Sequence, residues 1–421
     1  MPHKRRWAVV AAATVALVGA SGIYLTTRPQ DADPLSAEFV LGGGTATSGA
    51  GSRVEIKGTF SALAVDRHDR VSLFTYDGER TIMWQQAKSG QAKRVPIRGM
   101  GPEDAEQAAV TPDGSVYLAT GDLWKVRSDG RAEKIVDTSK CGKSTPRATK
   151  LADFCMDEVT GVAVADDGTI YIGDRDRYSA ANFVHAIQHD RISLVAGREA
   201  IGSESRRPDN PAVRRGYDPT KGTKATDVLV TDPLDAGLVA TSDKDVYWKT
   251  GPSIVRINQD GTLSPIVAGR DPKKISDYDP YEDLGKPFTT TGRAVDSAVE
   301  TLAGRSHRGD LVAAPGGGPL YYAAGPGVSG PAHDGPFRWG GDRSTSQQQI
   351  LDKAQANTEA EERKVVYRVA GGNVTAVTGG VNAITASRSY LYLAIESNVT
   401  GPVDSAKNWQ TAVLRIHMPE Q

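Results

Sequence analysis

GVAVADDGTIYIGDRD, running from Gly161 to Asp176, is a short apolar run, an Asp-Gly turn and an alternating run. Asp-Gly between two β-prone runs is the strongest short hairpin signal, because both turn positions accept positive φ. Gln107–Gly121, QAAVTPDGSVYLATG, repeats the pattern, and Ala62–Phe74, Gly237–Lys249, Leu311–Ala324 and Asn382–Ile395 follow it more loosely. Each hairpin is followed by a third β-branched or aromatic run: TIMWQQ (from Thr81), LWKVRS (Leu123), FVHAIQ (Phe183), SIVRIN (Ser253), VVYRVA (Val365) and AVLRIH (Ala412). A fourth run then comes five times: KRVPIRG (Lys93), EKIVD (Glu133), SLVAG (Ser193), SPIVAG (Ser264) and TAVTGG (Thr375).

Four-stranded units repeated along a chain predict a β-propeller, here six-bladed and all-β. The last unit lacks its fourth strand, and an incomplete blade leaves an open sheet edge. EFVLGG, Glu38–Gly43, has the shape of SLVAGR and SPIVAGR and lies upstream of the first unit. It is therefore expected to close the ring as the outer strand of the last blade. The same stretch has a superficial likeness to a phosphate cradle. Gly44 to Gly49 has the spacing, but Ala50 and Gly51 stand where Lys and Ser/Thr are needed to hold phosphate and magnesium. The dinucleotide version fails as well, with Thr47 at its third glycine position.

Composition agrees with a folded, turn-rich β chain: 421 residues, 39% apolar, 24% charged, 45 glycines and 23 prolines. A net charge of −1 gives no basic face for nucleic acid, so no nucleic-acid partner is expected. Lys4, Arg5 and Arg6 precede an uncharged apolar run from Trp7 to Leu25. At 1.5 Å per residue its 19 residues reach about 28 Å, close to a bilayer core. The basic flank predicts a cytoplasmic stub (1–6), a transmembrane anchor (7–25), a linker (26–36) and an exported propeller (37–421). The expected localisation is thus the cell membrane, single-pass, with the propeller extracytoplasmic. Val18 and Ala20 also fit a signal-peptide cleavage site, so secretion after cleavage is the alternative. Cys141 and Cys155 are the only cysteines, and in an exported protein such a pair is expected to form a disulfide.

The pattern G-x-A-V-x-x-D-G-x-I/V-Y-x-x-D … V-A-G, carried by Gly161–Gly197, resembles the NHL-repeat family of six-bladed propellers. The resemblance covers about Glu38 to Pro419 and implies architecture more than activity, since such propellers serve as sensors, scaffolds and enzymes. VYWKTG, Val246–Gly251, is also similar to the YWTD-type propeller signature, with Lys249 and Thr250 off-pattern.

In an antiparallel blade the first–second and third–fourth connections share one face of the disc, and the remaining connections share the other. The first set reads as tight turns such as Pro112-Asp113-Gly114. The second holds the insertions, above all 198–235, 270–308 and 325–363. Long loops crowded on one face of a rigid scaffold carry function. Arg175, Arg177, Tyr178, Arg206, Arg207, Tyr278 and Trp339 fall on that side, and arginine and aromatic residues are the types enriched at binding hot spots. The expected partner is a protein, peptide or cell-envelope ligand, with no cofactor. No G-x-S-x-G or H-E-x-x-H occurs. The competing expectation is enzymatic. Glu106, Asp310 and Asn382 fall at or near the starts of innermost strands. Lactonase-type propellers, a related group, place Glu, Asp and Asn there around a divalent cation, and such oxygen ligands suit calcium. SDYDPYEDLG, Ser276–Gly285, is acidic and aromatic, but Tyr281 breaks the D-x-D-x-D-G calcium-loop pattern, which leaves it a weak calcium candidate. Thr345–Lys364 reads as a short surface helix with Ile350, Leu351 and Ala354 on its apolar stripe.

Overall fold

The computed structural model describes residues 35–87, 89–100, 105, 107–141, 145–176, 181–199, 222–230, 238–242, 245–250, 253–267, 291–293, 310–314, 316–324, 339–340, 343–356, 364–398 and 409–418. Strand β1 (Leu35–Leu41) comes first. Blade 1 is β2 (Thr59–Val65), β3 (Val71–Tyr76), β4 (Thr81–Gln86) and β5 (Ala92–Pro96). Blade 2 is β6 (Gln107–Val110), β7 (Val116–Ala119), β8 (Leu123–Val126) and β9 (Ala132–Val136). Blade 3 is β10 (Glu158–Val164), β11 (Ile170–Arg175), β12 (Asn182–Gln188) and β13 (Arg191–Ala196). Blade 4 is β14 (Val239–Ser242), β15 (Asp245–Thr250), β16 (Ser253–Ile257) and β17 (Leu263–Val267). Then come β18 (Thr291–Arg293), β19 (Asp310–Ala313), β20 (Leu320–Ala324), β21 (Trp339–Gly340) and helix α1 (Thr345–Ala356). The chain continues with β22 (Lys364–Ala370), β23 (Asn373–Val381), β24 (Ala383–Ala386), β25 (Tyr390–Asn398) and β26 (Trp409–His417).

Every blade is an antiparallel meander, and blade 5 runs β19-β20-β22-β23. Blade 6 runs β24-β25-β26 and is completed by β1, antiparallel to β26. Ala37 pairs with Ile416 and Glu38 with Arg415, whose guanidinium reaches Glu38 Oε2 at 2.7 Å. The closing strand expected from EFVLGG is thus present, slightly earlier in the chain. Its glycines serve close approach and turning. Gly42 takes φ +78°, and a Cβ there would lie 2.4 Å from Thr411 O. The inner strands touch in sequence, β2 to β6, β10, β14, β19 and β24, and β24 touches β2 again. The ring of six blades is closed.

Strand alternation then builds the core. Val116 and Leu118 of β7 pack against blade 1, while Tyr117 and Ala119 pack against blade 3. The same division recurs round the ring, giving a hydrophobic cluster at each of the six blade interfaces. Each blade is therefore buried on both faces, which explains its near-continuous apolar strands. Each outer edge also carries at least one further pairing. Ala50, Arg98, Lys150 and Lys224 each bridge at or just before the start of the outer strand of blades 1 to 4, while β18 and β21 extend blades 5 and 6. Such pairing blunts the free edges that template aggregation.

Helix α1 buries Ile350 and Leu351 against blades 5 and 6, as its apolar stripe predicts. Ser346 Oγ donates to Gly43 O at 3.1 Å, tying the helix to the exit of the closing strand. Cys141 and Cys155 form a disulfide with Cα atoms 5.3 Å apart, stapling the connection between blades 2 and 3. Among the described residues no helix is long and apolar enough to cross a membrane, and the expected anchor at 7–25 lies outside them.

Candidate functional site

The long connections begin and end on the face where inner strands begin. There the chain runs from Ala324 to Lys364 and from Val136 to Glu158, whereas the opposite face has turns such as Val110 to Val116 and Val164 to Ile170. Those turns are self-satisfied. Asp113, Asp167 and Asp260 accept main-chain N–H bonds from Ser115, Thr169 and Thr262. Hydrogen bonds from Thr111, Thr169 and Thr262 respectively are the largest influence holding the three carboxyls below the ordinary range.

Inside the ring, the described channel is a cavity of about 160 Å³ lined by all six inner strands, from Gln107 and Asp310 to Asp66, Asp166, Ser242 and Ser387. At the loop-face end Gln107 reaches across it. Its Nε2 donates to Val239 O at 2.8 Å and Leu311 O at 3.1 Å, and its Oε1 accepts Val162 N at 3.0 Å. One buried amide thus satisfies main-chain groups on the inner strands of blades 3, 4 and 5. Asp310 opens β19 and its Oδ2 accepts Ile384 N from blade 6 at 3.1 Å. Asn382 immediately precedes β24 and donates from Nδ2 to Glu396 Oε2 at 3.0 Å, while Glu396 Oε1 accepts Phe60 N at 2.7 Å. Asn382 Oδ1 is buried without a hydrogen-bond partner. Asp310 and Asn382 therefore sit on neighbouring inner strands at the loop-face mouth, and both serve the contact between blades. Their oxygens are hard donors of the kind calcium takes. Among the described residues, no three His, Cys, Asp or Glu side chains are grouped to hold a metal ion. Glu106 lies outside the described residues.

Of the residues expected to form the binding face, Arg175 ends β11 and is ion-paired to Glu158 across the ladder, with Nε donating to Oε2 at 2.8 Å. The main chain of Trp339 pairs, through β21, with Leu35 at the start of β1, the end of blade 6 near Ile416 and the β24–β25 turn, which is the turn face rather than the loop face. Arg177, Tyr178, Arg206, Arg207 and Tyr278, with the insertions 198–221, 270–290 and 325–338, lie outside the described residues.

Sequence reasoning passed over three polar residues that the structure buries completely or nearly so: Gln107, Asp174 and His185. The signal for Asp174 was present, because it continues the inward-facing alternation Ile170, Ile172. His185 Nε2 bonds to Pro146 O at 2.9 Å inside the disulfide loop, and its ring meets Phe154 edge-on at 4.7 Å. A carbonyl only accepts, so Nε2 carries the proton and Nδ1 is bare. Burial holds the imidazole down to about 4.

No family model and no curated protein matches the chain, so NHL-repeat membership stays a resemblance of motif. Among solved structures the chain is similar to a Bacteroides thetaiotaomicron protein of unknown function, at TM-score 0.46, 10% identity and coverage of 90% of this chain and 75% of that one. It is also similar to a gluconolactonase from Xanthomonas campestris (TM-score 0.40, 10% identity, 85% of this chain and 88% of that one). A third likeness is to regucalcin, a calcium-binding protein from Agrobacterium tumefaciens (TM-score 0.39, 9% identity, 92% and 96%). Likenesses this distant assign neither ligand nor reaction. The chain is a six-bladed β-propeller on the strength of its own closed ring of strands.

Proposed function

We propose that this chain is a membrane-anchored, extracytoplasmic propeller that binds a protein, peptide or cell-envelope ligand on its loop-bearing face, as a sensing or scaffold module. One observation carries the reading. The long connections between successive blade strands begin and end on one face, while Asp113, Asp167 and Asp260 of the opposite face are consumed in their own turns. A rigid ring with variable length on one side is the arrangement in which loops recognise and the scaffold positions. Gln107 supports this by occupying the loop-face end of the channel with a protein side chain. The N-terminal run 7–25 supplies the anchor. Photo-crosslinking in intact membranes, followed by peptide mapping, tests the face. Crosslinks on the Arg175–Tyr178 and Arg206–Arg215 side are expected. Crosslinks gathered at the Asp113, Asp167 and Asp260 turns overturn the assignment.

A second reading, a metal-dependent lactonase or lyase, is favoured by the bare, buried Asn382 Oδ1 beside the inner strand that Asp310 opens. Asp310 and Asn382 would hold a divalent cation there together with Glu106, and the ion would act as a Lewis acid on a carbonyl. Metal analysis separates the readings. A stoichiometric ion lost in Glu106→Gln supports the enzyme, and an unchanged metal content in that variant removes it.

A further inference from the structure

Blade 3 contains a carboxylate that its surroundings leave unanswered. Asp174, at the loop-face end of β11, is fully buried, and neither of its oxygens has a hydrogen-bond partner. It pairs in register with Val159 on one side and Phe183 on the other. A β-bulge at Thr160 lies beside that pair, and Thr160 Oγ1 is likewise buried without a partner. Two-residue alternation past the strand ends puts Asp176 and Asp157 on the same face as Asp174, turned toward blade 2. Glu158 and Arg175 take the other face and neutralise each other. Burial first, then the charges of Asp157, Asp176 and Glu158, drive the Asp174 carboxyl well above the ordinary carboxylate range. A buried carboxylate with no partner on either oxygen does not persist as an ion without a counter-charge.

We propose that Asp174 and Thr160 form a calcium site in the corner of blade 3 facing blade 2, with Asp157 and Asp176 supplying the surrounding negative charge. The donors are all hard oxygens, with no thiolate or imidazole to favour zinc or copper. Calcium tolerates irregular geometry and main-chain carbonyl ligands, whereas magnesium demands a near-octahedral set. Asp157, Asp174 and Asp176 do not themselves form a ready three-acid cage. The Asp174 carboxylate and the Thr160 hydroxyl are thus the side-chain ligands, and the flanking acids act through charge. The site is distinct from the channel mouth, since it lies in the interface of blades 2 and 3 and neither Asp174 nor Thr160 lines the channel. Its effect is to pin the corner where the disulfide-closed connection enters blade 3.

The test uses the full-length chain stripped with a chelator, then titrated with calcium chloride while bound metal and thermal unfolding are followed. One calcium per chain and a midpoint raised by several degrees are expected, because a ligand of the native state stabilises it by mass action. Asp174→Asn, which keeps the shape and removes the charge, should lose both effects while still unfolding cooperatively. Thr160→Val should weaken calcium binding. Should Asp174→Asn not fold, the Thr160→Val and Asp157→Asn titrations carry the decision. Calcium uptake unchanged in these variants overturns the proposal. So does uptake lost in Asn382→Ala but kept in Asp174→Asn, which places the ion at the channel mouth. No uptake at all, with Asp174→Asn melting at or above the wild type, identifies Asp174 as a buried neutral acid instead.

Discussion

Gln107 shows how much of a ring can depend on one side chain. Its amide replaces water for four main-chain contacts on three inner strands, the fourth being Val239 N to Oε1 at 3.4 Å. Removing it leaves buried donors and acceptors unmet, at about 1–3 kcal/mol each before water enters. Gln107→Ala is therefore expected to lower unfolding free energy by about 3 kcal/mol in urea titration. A loss below about 0.5 kcal/mol would show the amide to be incidental. His185 sets a pH dependence of definite sign. Its folded value, about 4, lies below the unfolded value of 6.5, so the neutral form is the native one. The stability it contributes is complete above pH about 6.5 and is lost as pH falls toward 4. That gap corresponds to about 3 kcal/mol. His185→Phe keeps an aromatic ring against Phe154 and should flatten the stability profile across that window. A profile of wild-type slope in His185→Phe would assign the dependence elsewhere.

Among the elements, β1 has the largest consequence for its length. It covers β26 and brings Phe39 into the interface of blades 5 and 6, and Val40 and Leu41 into that of blades 6 and 1. Without it, blade 6 has an exposed outer edge and two blade interfaces lose buried side chains. A variant lacking residues 1–43 is expected to lose cooperative unfolding in circular dichroism. A wild-type transition in that variant would show that the ring closes without its clasp. Gly42 sets the exit of this strand, where positive φ and the nearby Thr411 carbonyl exclude a side chain.

At the scale of the whole molecule, no blade owns its core. Each blade shares one hydrophobic cluster with the blade before it and another with the blade after it, and the last is joined to the first. A single blade would expose both faces, so the propeller should unfold as one unit. Tryptophan fluorescence, to which Trp84, Trp124, Trp248 and Trp409 contribute from blades 1, 2, 4 and 6, is expected to change together with far-ultraviolet circular dichroism. Two separated midpoints would mean that the ring breaks into independently stable arcs.

The sequence by itself determined the blade count, the strand order within each blade, the clasp and the disulfide. These rest on local signals: two-residue alternation, Asp-Gly turns and a missing fourth strand that only an upstream run can supply. Helix α1 was legible for the same reason, since Ile350 and Leu351 stand on one stripe. The tertiary structure alone decided which polar residues matter inside. Gln107 looks like any strand residue until ring closure brings the backbones of three other blades within reach of its amide. Asp174 and His185 occupy ordinary alternating positions, and only the packing of blade 2 and of the Cys141–Cys155 loop takes them out of water. Pairing of Arg175 with Glu158, likewise, follows from strand register and not from any spacing along the chain. Alternation fixes which face a side chain takes, whereas its burial and partners depend on neighbours brought together by the fold.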